Sequence, residues 1–270
     1  MELCLGEYEG FDVGLQNLPQ ARDEFAARKS AAKARLNSMV QGRCIGLVGG
    51  LGVGAATHYY RKLAAAHEQQ GAALDLVMTH AEVPRVFEFV QASDRDGLAR
   101  YLNGFIRRLQ AAGAEFAVIP AVTPHYCIRE LIALSPMPVL SIFEPLVREL
   151  SRRSIRRAAV FGTSFVMGSD LFGMAPGVEL VHATPDEAEF IDSAYRKLAI
   201  SGHGSAELHQ EFTEIAVRIC ERDKVDAILF AGTDLSIIFN DENTAFPYID
   251  CAALHIEAIV KVALGQAGQG

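Results

Sequence analysis

The stretch that decides the fold reads VIPAVTPHY and spans Val118–Tyr126. Its first residues end an apolar run, and two prolines then bound a turn that carries a hydroxyl, an imidazole and a phenol. In open α/β proteins, ligands bind outside the carboxyl ends of the strands. We therefore interpret this stretch as one half of a ligand site. The other half is predicted at FAGTD, Phe230–Asp234, where a second apolar run ends in a polar turn.

A glycine-rich segment upstream has the same organisation. The sequence CIGLVGGLGVG at Cys44–Gly54 indicates a buried strand and a loop, and AATHYYR at Ala55–Arg61 indicates a helix that follows. Glycines let the backbone approach a ligand closely, and the amides at the start of a helix attract anions. The spacing departs from G-x-G-x-x-G, since Ala55 holds the third position counted from Gly50 and Gly52. We expect the loop to bind a carboxylate, with nucleotide binding as the alternative.

Apolar strands alternate with amphipathic helices along the chain, and the pattern restarts near Arg156. The segments Gly49–Thr123 and Gly162–Thr233 carry their elements in the same order over about 70 residues each, which is longer than the periods of solenoid repeats. Such alternation predicts parallel sheets with right-handed crossovers. The predicted fold class is α/β, with two pseudo-symmetric Rossmann-like domains and a ligand cleft between them.

Three parts are predicted along the chain. Residues 1–41 form a helical extension, with a helix from Gln20 to Met39 where alanines and straight-chain charged residues favour helix. Residues 42–155 form the first α/β domain, with a C-terminal helix that can cross over, and residues 156–270 form the second. The extension is expected to pack on the domain or on a partner subunit, with a partly ordered tail as the alternative.

Composition narrows the class of protein. The chain has 270 residues and a formal net charge of −8, which argues against a general nucleic-acid binder because such proteins need a basic surface. No apolar run is long enough for a membrane span, and the N-terminus lacks the pattern of a secretion signal, so we expect a cytoplasmic protein. The five cysteines form no C-x-x-C pair, so they indicate neither a disulfide framework nor a zinc site.

Five motifs, in order, resemble those of the aspartate/glutamate racemase superfamily over residues 43–264. They are the glycine loop with Thr57 and Tyr60-Arg61, the turn at Val118–Tyr126, Gly162-Thr163 with Met167 and Asp170, the turn at Ala231–Leu235, and Asp250 with His255–Ala258. The resemblance implies two α/β domains and a cofactor-independent isomerase or racemase for a small carboxylate or amino acid. It also implies a homodimer.

The sequence departs from this superfamily at the two positions where protons move. The superfamily has Cys-Asn-Thr-x-His at the first turn and Cys-Thr-Glu at the second, whereas this chain has AVTPH at Ala121–His125 and GTD at Gly232–Asp234. Alanine and glycine cannot exchange protons, so the two-thiol mechanism is excluded. Cys127 and Cys251 lie near these motifs and are candidate replacements, provided that they are exposed and have a lowered pKa.

The remaining polar groups of the two turns are the catalytic candidates, namely Thr123, His125, Thr233 and Asp234. An unperturbed histidine titrates near neutral pH, which suits a general base; the alternative is that His125 satisfies backbone groups beneath the turn.

The predicted substrate-binding residues are Gly49, Gly50, Leu51, Arg85, Ala121, Val122, Thr163 and Gly232. Arg85 falls where the resemblance implies an arginine on the distal carboxylate of the substrate, and arginine can bind a carboxylate with two parallel hydrogen bonds. The alternative for Arg85 is a solvated surface residue.

Three functions remain open. The first is an isomerase or racemase with non-thiol acid–base chemistry. The second is a lyase or decarboxylase of the same superfamily, which would pass through a similar enolate-like intermediate. The third is a non-catalytic protein that binds a small carboxylate. We expect no cofactor and no metal, a small carboxylate as ligand, and neither nucleic acid nor membrane as partner.

Overall fold

The computed structural model describes residues 40–266, and the helix expected at 20–39 lies outside them. The strands are β1 (Val40–Gln41), β2 (Ile45–Gly49), β3 (Ala72–Ala73), β4 (Leu76–His80), β5 (Phe116–Val118), β6 (Val139–Leu140), β7 (Arg157–Phe161), β8 (Glu179–Val181), β9 (Ala227–Phe230) and β10 (Tyr248–Asp250). The helices are α1 (Val53–Gln69), α2 (Val83–Gln91), α3 (Arg95–Ala111), α4 (Ile128–Leu134), α5 (Phe143–Arg152), α6 (Ser164–Met167), α7 (Pro185–Ser201), α8 (Ala206–Asp223) and α9 (Cys251–Ala263). Within the described range, no helix has the length and apolar character required to cross a membrane.

Eight of the strands form two four-stranded parallel sheets with the same topology. The first sheet has the order β4-β2-β5-β6 and the second β8-β7-β9-β10. In each sheet, the strand that comes first in sequence therefore lies between the second and the third. This equal order confirms the predicted α/β class with two pseudo-symmetric halves.

The position of β2 within its sheet explains why its sequence is an unbroken apolar run. Strands flank β2 on both edges, and all five of its residues are buried. Ile45 and Leu47 pack with residues of α1 and α9, whereas Val48 packs on the opposite face with residues of α3. A parallel strand covered on both faces reads as a continuous apolar segment, as this one does.

The two halves exchange a helix. Although α5 precedes the second sheet in sequence, its Phe143 and Leu146 pack into the core of that sheet. Helix α9 follows the second sheet, yet its Ile256 and Ile259 pack on the first. Chain order alone therefore does not separate the two cores, and the boundaries predicted after residues 41 and 155 stay predictions.

The turns after the third strand of each sheet are joined by hydrogen bonds. Thr233 Oγ1, after β9, donates to the carbonyl oxygen of Pro120, after β5, at 3.0 Å. Within the second sheet, the amide of Gly232 donates to the carbonyl oxygen of Phe161 at the end of β7, at 2.8 Å. The carboxyl ends of the central strands therefore converge in one region.

Gly50 turns the chain from β2 toward α1. Its φ is +85°, and a Cβ at this position would lie 2.0 Å from the carbonyl oxygen of Ala81. Both the left-handed backbone and the adjacent carbonyl restrict the position to glycine.

We expect Gly50→Ala to lower the free energy of unfolding by about 3 kcal/mol or more, because both the φ angle and the backbone contact oppose a methyl group. Gly71→Ala is the matched control: its φ is +64°, but no atom lies within 4 Å of the added Cβ. The control should cost about 1 kcal/mol, the left-handed penalty alone. Chemical denaturation measures both values, and equal losses in the two variants would contradict the predicted contact.

Candidate active site

A cavity of about 280 Å³ lies where the loops after β2, β5, β7 and β9 converge. Apolar side chains form most of its wall, and Arg196 is the charged residue among those that line it. The lining residues are Gly50, Leu51, Gly52, Val53, Val83, Val86, Phe87, Ala121, Val122, Thr123, Pro124, Thr163, Val166, Tyr195, Arg196, Ala199, Ile200 and Ala231. The cavity is therefore located at the carboxyl ends of the strands, where the sequence predicts the ligand site.

The structure divides the predicted site residues into two groups. Those that line the cavity are Gly50, Leu51, Ala121, Val122, Thr123 and Thr163. Those outside its lining are Gly49, Arg85, His125, Gly232, Thr233 and Asp234. The second group contains three of the four catalytic candidates, so their surroundings decide what each can do.

Asp234 is buried and holds the first helix of the opposite half. Its Oδ1 accepts from the amide of Ala55 at 2.6 Å, and its Oδ2 accepts from the hydroxyl of Tyr195 at 3.0 Å. The N-cap of α1, Gly52, has no side chain that could accept from this first turn. Asp234 therefore supplies the missing acceptor at the positive end of the helix dipole. Burial nevertheless raises the pKa of Asp234 above its usual range, and these hydrogen bonds offset only part of that rise.

The start of α1 thus binds a carboxylate that belongs to the protein itself. A Cβ at Gly54 would lie 2.6 Å from Oδ1 of Asp234 and 3.1 Å from Cα of Gly202. The small residue at this position allows Asp234 to reach the helix.

The three predicted threonines lie close to the junction between the two halves. Thr233 is buried and donates to Pro120, as described above. Thr123 and Thr163 approach each other across the cleft, with 3.4 Å between their hydroxyl oxygens. Because Thr123 and Thr163 also line the cavity, they offer hydroxyls to a ligand, whereas Thr233 is engaged in holding the turn.

His125 lies beneath the first turn and is 1% exposed. Its Nδ1 is 2.8 Å from the carbonyl oxygen of Ala121, and its Nε2 accepts from the amide of Ile142 at 3.2 Å. Burial lowers the pKa of His125 to about 4. With both ring nitrogens bonded to backbone groups, the geometry favours the alternative role of satisfying the backbone over that of a general base.

Arg85 is exposed at the surface of α2. Its guanidinium pairs with Glu88 one turn along the helix and lies 5.5 Å from the ring centre of Phe89. In this conformation it corresponds to the surface arginine that the sequence left as an alternative.

Arg196 was not singled out by the sequence, yet it is the cation of the cavity. It lies on α7, where its Nε donates to Asp192 at 2.7 Å, and its guanidinium lies 4.9 Å from the ring centre of Phe87 on α2. Asp192 is fixed in turn, since it accepts from the amide of Ser164 at 2.6 Å. The side chain of Arg196 is 41% exposed, which leaves part of its donor fork available to a ligand.

Tyr195 is the second residue that the sequence did not identify. Its ring lies against Gly232: a Cβ at that glycine would lie 2.4 Å from Cε2 of the ring. Burial and the carboxylate of Asp234 raise the pKa of Tyr195 well above its ordinary value. Neither residue carries a local signal in the sequence, since each meets its partner only when α7 packs against other elements.

Within residues 40–266, no cysteine lines the cavity. Cys127 is fully buried, its Sγ donates to the carbonyl oxygen of Pro124 at 3.4 Å, and burial raises its pKa to about 12. Cys251 is 1% exposed, and burial raises its pKa as well. Neither environment stabilises the thiolate that a nucleophile or base requires.

Backbone amides add donors to the cavity. Within residues 40–266, the amides of Leu51, Val122 and Thr163 donate no hydrogen bond to the protein. All three residues line the cavity. Together with the hydroxyls of Thr123 and Thr163, they can receive an anionic group.

The buried imidazole of His125 makes stability depend on pH. Its pKa falls from 6.5 to about 4 in the folded protein, so the unfolded chain binds the proton more tightly. This contribution to the free energy of unfolding is present above pH 6.5 and is lost as the pH falls through about 4, and it amounts to about 3 kcal/mol. The difference between wild type and His125→Gln should therefore be largest at neutral pH and shrink by that amount at pH 4.

Urea denaturation across this pH range measures the effect. His203→Gln, which changes an exposed imidazole, is the control. Parallel stability curves for wild type and His125→Gln would show that His125 does not take up a proton on unfolding.

Comparisons with known proteins agree with this geometry. The sequence model of the Asp/Glu/Hydantoin racemase family matches residues 48–259. The broad specificity amino-acid racemase RacX of Bacillus subtilis (strain 168) is 22% identical over 229 residues, which cover 82% of this chain and 98% of RacX. An aspartate racemase homologue from Pyrococcus horikoshii OT3 has a TM-score of 0.69 at 19% identity, covering 82% of this chain and 99% of its own. The aspartate racemase of Picrophilus torridus has a TM-score of 0.63 at 17% identity, covering 83% and 95%. Since the family match includes both sheets and the cavity, the chain belongs to the Asp/Glu/Hydantoin racemase family.

Proposed function

We propose that this protein moves the proton on the carbon next to the carboxylate of a small acid that carries an apolar group, as a racemase-like isomerase without catalytic thiols. The observation that carries the proposal is the composition of the cavity, an apolar wall with Arg196 as its charged residue. Family membership supports amino-acid racemase-like chemistry, and the apolar wall of the cavity supports a substrate that carries an apolar group.

Arg196 is the anchor for the substrate carboxylate in this proposal. Its bond to Asp192 and its position over Phe87 fix the guanidinium at the edge of the cavity. A guanidinium held in this way recognises a carboxylate by paired hydrogen bonds. The amides of Leu51, Val122 and Thr163, which have no acceptor within residues 40–266, are candidates to stabilise the negative charge that develops when the carbon loses its proton.

The remaining wall favours an apolar substituent. Val122, Val86 and Val166 line the interior, while Val53, Val83 and Ile200 are exposed at the same cavity. A second carboxylate, such as that of aspartate or glutamate, would need a second cation or several donors in this wall. An aliphatic or aromatic side chain instead removes apolar surface from water on binding.

A second candidate function is binding without catalysis. The observation that favours it is that no thiol, imidazole or carboxylate lines the cavity among residues 40–266. Such a protein would recognise the same acids through Arg196 and leave their protons in place. The homodimer implied by the family resemblance stays a prediction under either function.

Substitution of Arg196 tests the anchor. We expect Arg196→Met to weaken the binding of leucine or phenylalanine by about 10-fold to 100-fold, the equivalent of about 1.5–3 kcal/mol for a charged hydrogen-bonded contact. Arg85→Met is the matched comparison on the opposite half and should weaken binding much less. Calorimetric titration gives the affinities, and proton NMR in deuterium oxide gives the exchange of the α-proton.

The outcomes separate the two functions and the substrate class. Exchange of leucine, methionine or phenylalanine supports the enzyme, and binding of these acids without exchange supports the binding protein. A clear preference for aspartate or glutamate would overturn the apolar substrate class. A larger loss of affinity in Arg85→Met than in Arg196→Met would show that Arg85, and not Arg196, binds the substrate carboxylate.

A further inference from the structure

We infer that Tyr195, backed by Asp234, is the group that exchanges the substrate proton on the side of the cavity formed by the second half. The inference rests on the proposed function, because it assigns a residue to the proton transfer proposed there. It goes beyond the turns predicted from sequence, since Tyr195 belongs to α7.

Elimination within the cavity is the first argument. Of the side chains that line it, those of Tyr195 and Arg196 are ionisable. A guanidinium does not give up its proton in proteins, so it can hold a carboxylate but cannot relay a proton. Tyr195 is left as the acid–base group in contact with the ligand space.

The position of the ring is the second argument. Gly232 is where the family pattern has its second cysteine, and the ring of Tyr195 occupies the space beside it, with Cε2 only 2.4 Å from where a Cβ would lie. A thiol at position 232 and the ring of Tyr195 cannot occupy this space together. The glycine at position 232 is therefore what leaves room for the ring of Tyr195.

The hydrogen bond to Asp234 is the third argument. The hydroxyl of Tyr195 donates to Oδ2 of Asp234, and Oδ1 remains held by the amide of Ala55. A proton that leaves the phenol therefore has an acceptor already in place. That acceptor is buried, and its other oxygen is held at the start of α1.

The step balances without any further reactant. As the C–H bond of the substrate breaks, its electron pair remains on carbon and spreads into the carboxylate held by Arg196. The proton moves to the phenol oxygen of Tyr195, and the phenol releases its original proton to Oδ2 of Asp234. The reverse sequence returns a proton to the carbon and leaves Asp234 ionised again.

Tyr195→Phe is the sharpest test, since the ring still packs on Gly232 while the hydroxyl is lost. With the apolar amino acid that wild type exchanges most rapidly, we expect the exchange rate at saturating substrate to fall by about 100-fold or more, the usual contribution of a general acid–base group. The affinity measured by calorimetry should stay unchanged. A purely structural role would lower affinity or melting temperature and leave the rate of the bound substrate intact.

A second pair of variants tests whether the ring of Tyr195 lies at the ligand site, and this test does not require catalytic activity. Tyr195→Ala combined with Gly232→Cys places a thiol in the space that the ring vacates, and Tyr195→Ala alone is its control. We expect iodoacetamide to label one additional cysteine in the double variant, and a saturating apolar amino acid to slow that labelling.

Each result supports or overturns the assignment. Loss of exchange with retained affinity in Tyr195→Phe supports it, as does ligand protection of the new thiol. Exchange at the wild-type rate in Tyr195→Phe, or a thiol that the ligand does not protect, overturns it. If wild type binds the acids but never exchanges their protons, the role of Tyr195 is overturned while the proposed ligand class stands. If wild type binds none of them, the proposed function itself fails.

Discussion

The contact on which the rest of the site depends is the carboxylate of Asp234 at the start of α1. One oxygen accepts from the amide of Ala55 in the first half, and the other accepts from Tyr195 in the second. Helix starts carry unpaired amides and a partial positive charge, so a buried carboxylate stabilises this end most strongly. The same residue therefore caps a helix, joins the two halves and orients a phenol in the cavity wall.

The contact of Asp234 with the start of α1 changes the interpretation of the glycine loop. In the sequence, the loop has the properties of an anion site for a ligand, and part of it serves Asp234 instead. Gly54 leaves room for the carboxylate, and Gly50 provides the left-handed turn that Ala81 closes from the other side. Among the residues that line the cavity, Arg196 on α7 is the one that carries a positive charge.

The fold could be predicted from the sequence because its signals are local. Apolar strands ending in Gly, Thr or Pro turns, repeated in the same order, led to two parallel sheets, and the structure has both. The choice between the two roles considered for His125 could not be made in the same way, since it depends on the amide of Ile142 in a later segment. Arg196 and Phe87 meet only after α7 and α2 are brought together, so neither carries a local signal. The sequence therefore did not identify the side chains that reach the cavity from helices.

The apolar wall of the cavity strengthens the electrostatic interactions of the polar groups within it. Coulombic interactions grow as the effective dielectric constant falls, so a guanidinium beside an apolar wall attracts a carboxylate more strongly than one surrounded by water. The same desolvation raises the pKa of both Tyr195 and Asp234, so each group binds a proton more tightly than it would in water. The glycine at position 232 and the buried Tyr195–Asp234 pair are therefore parts of one packing arrangement.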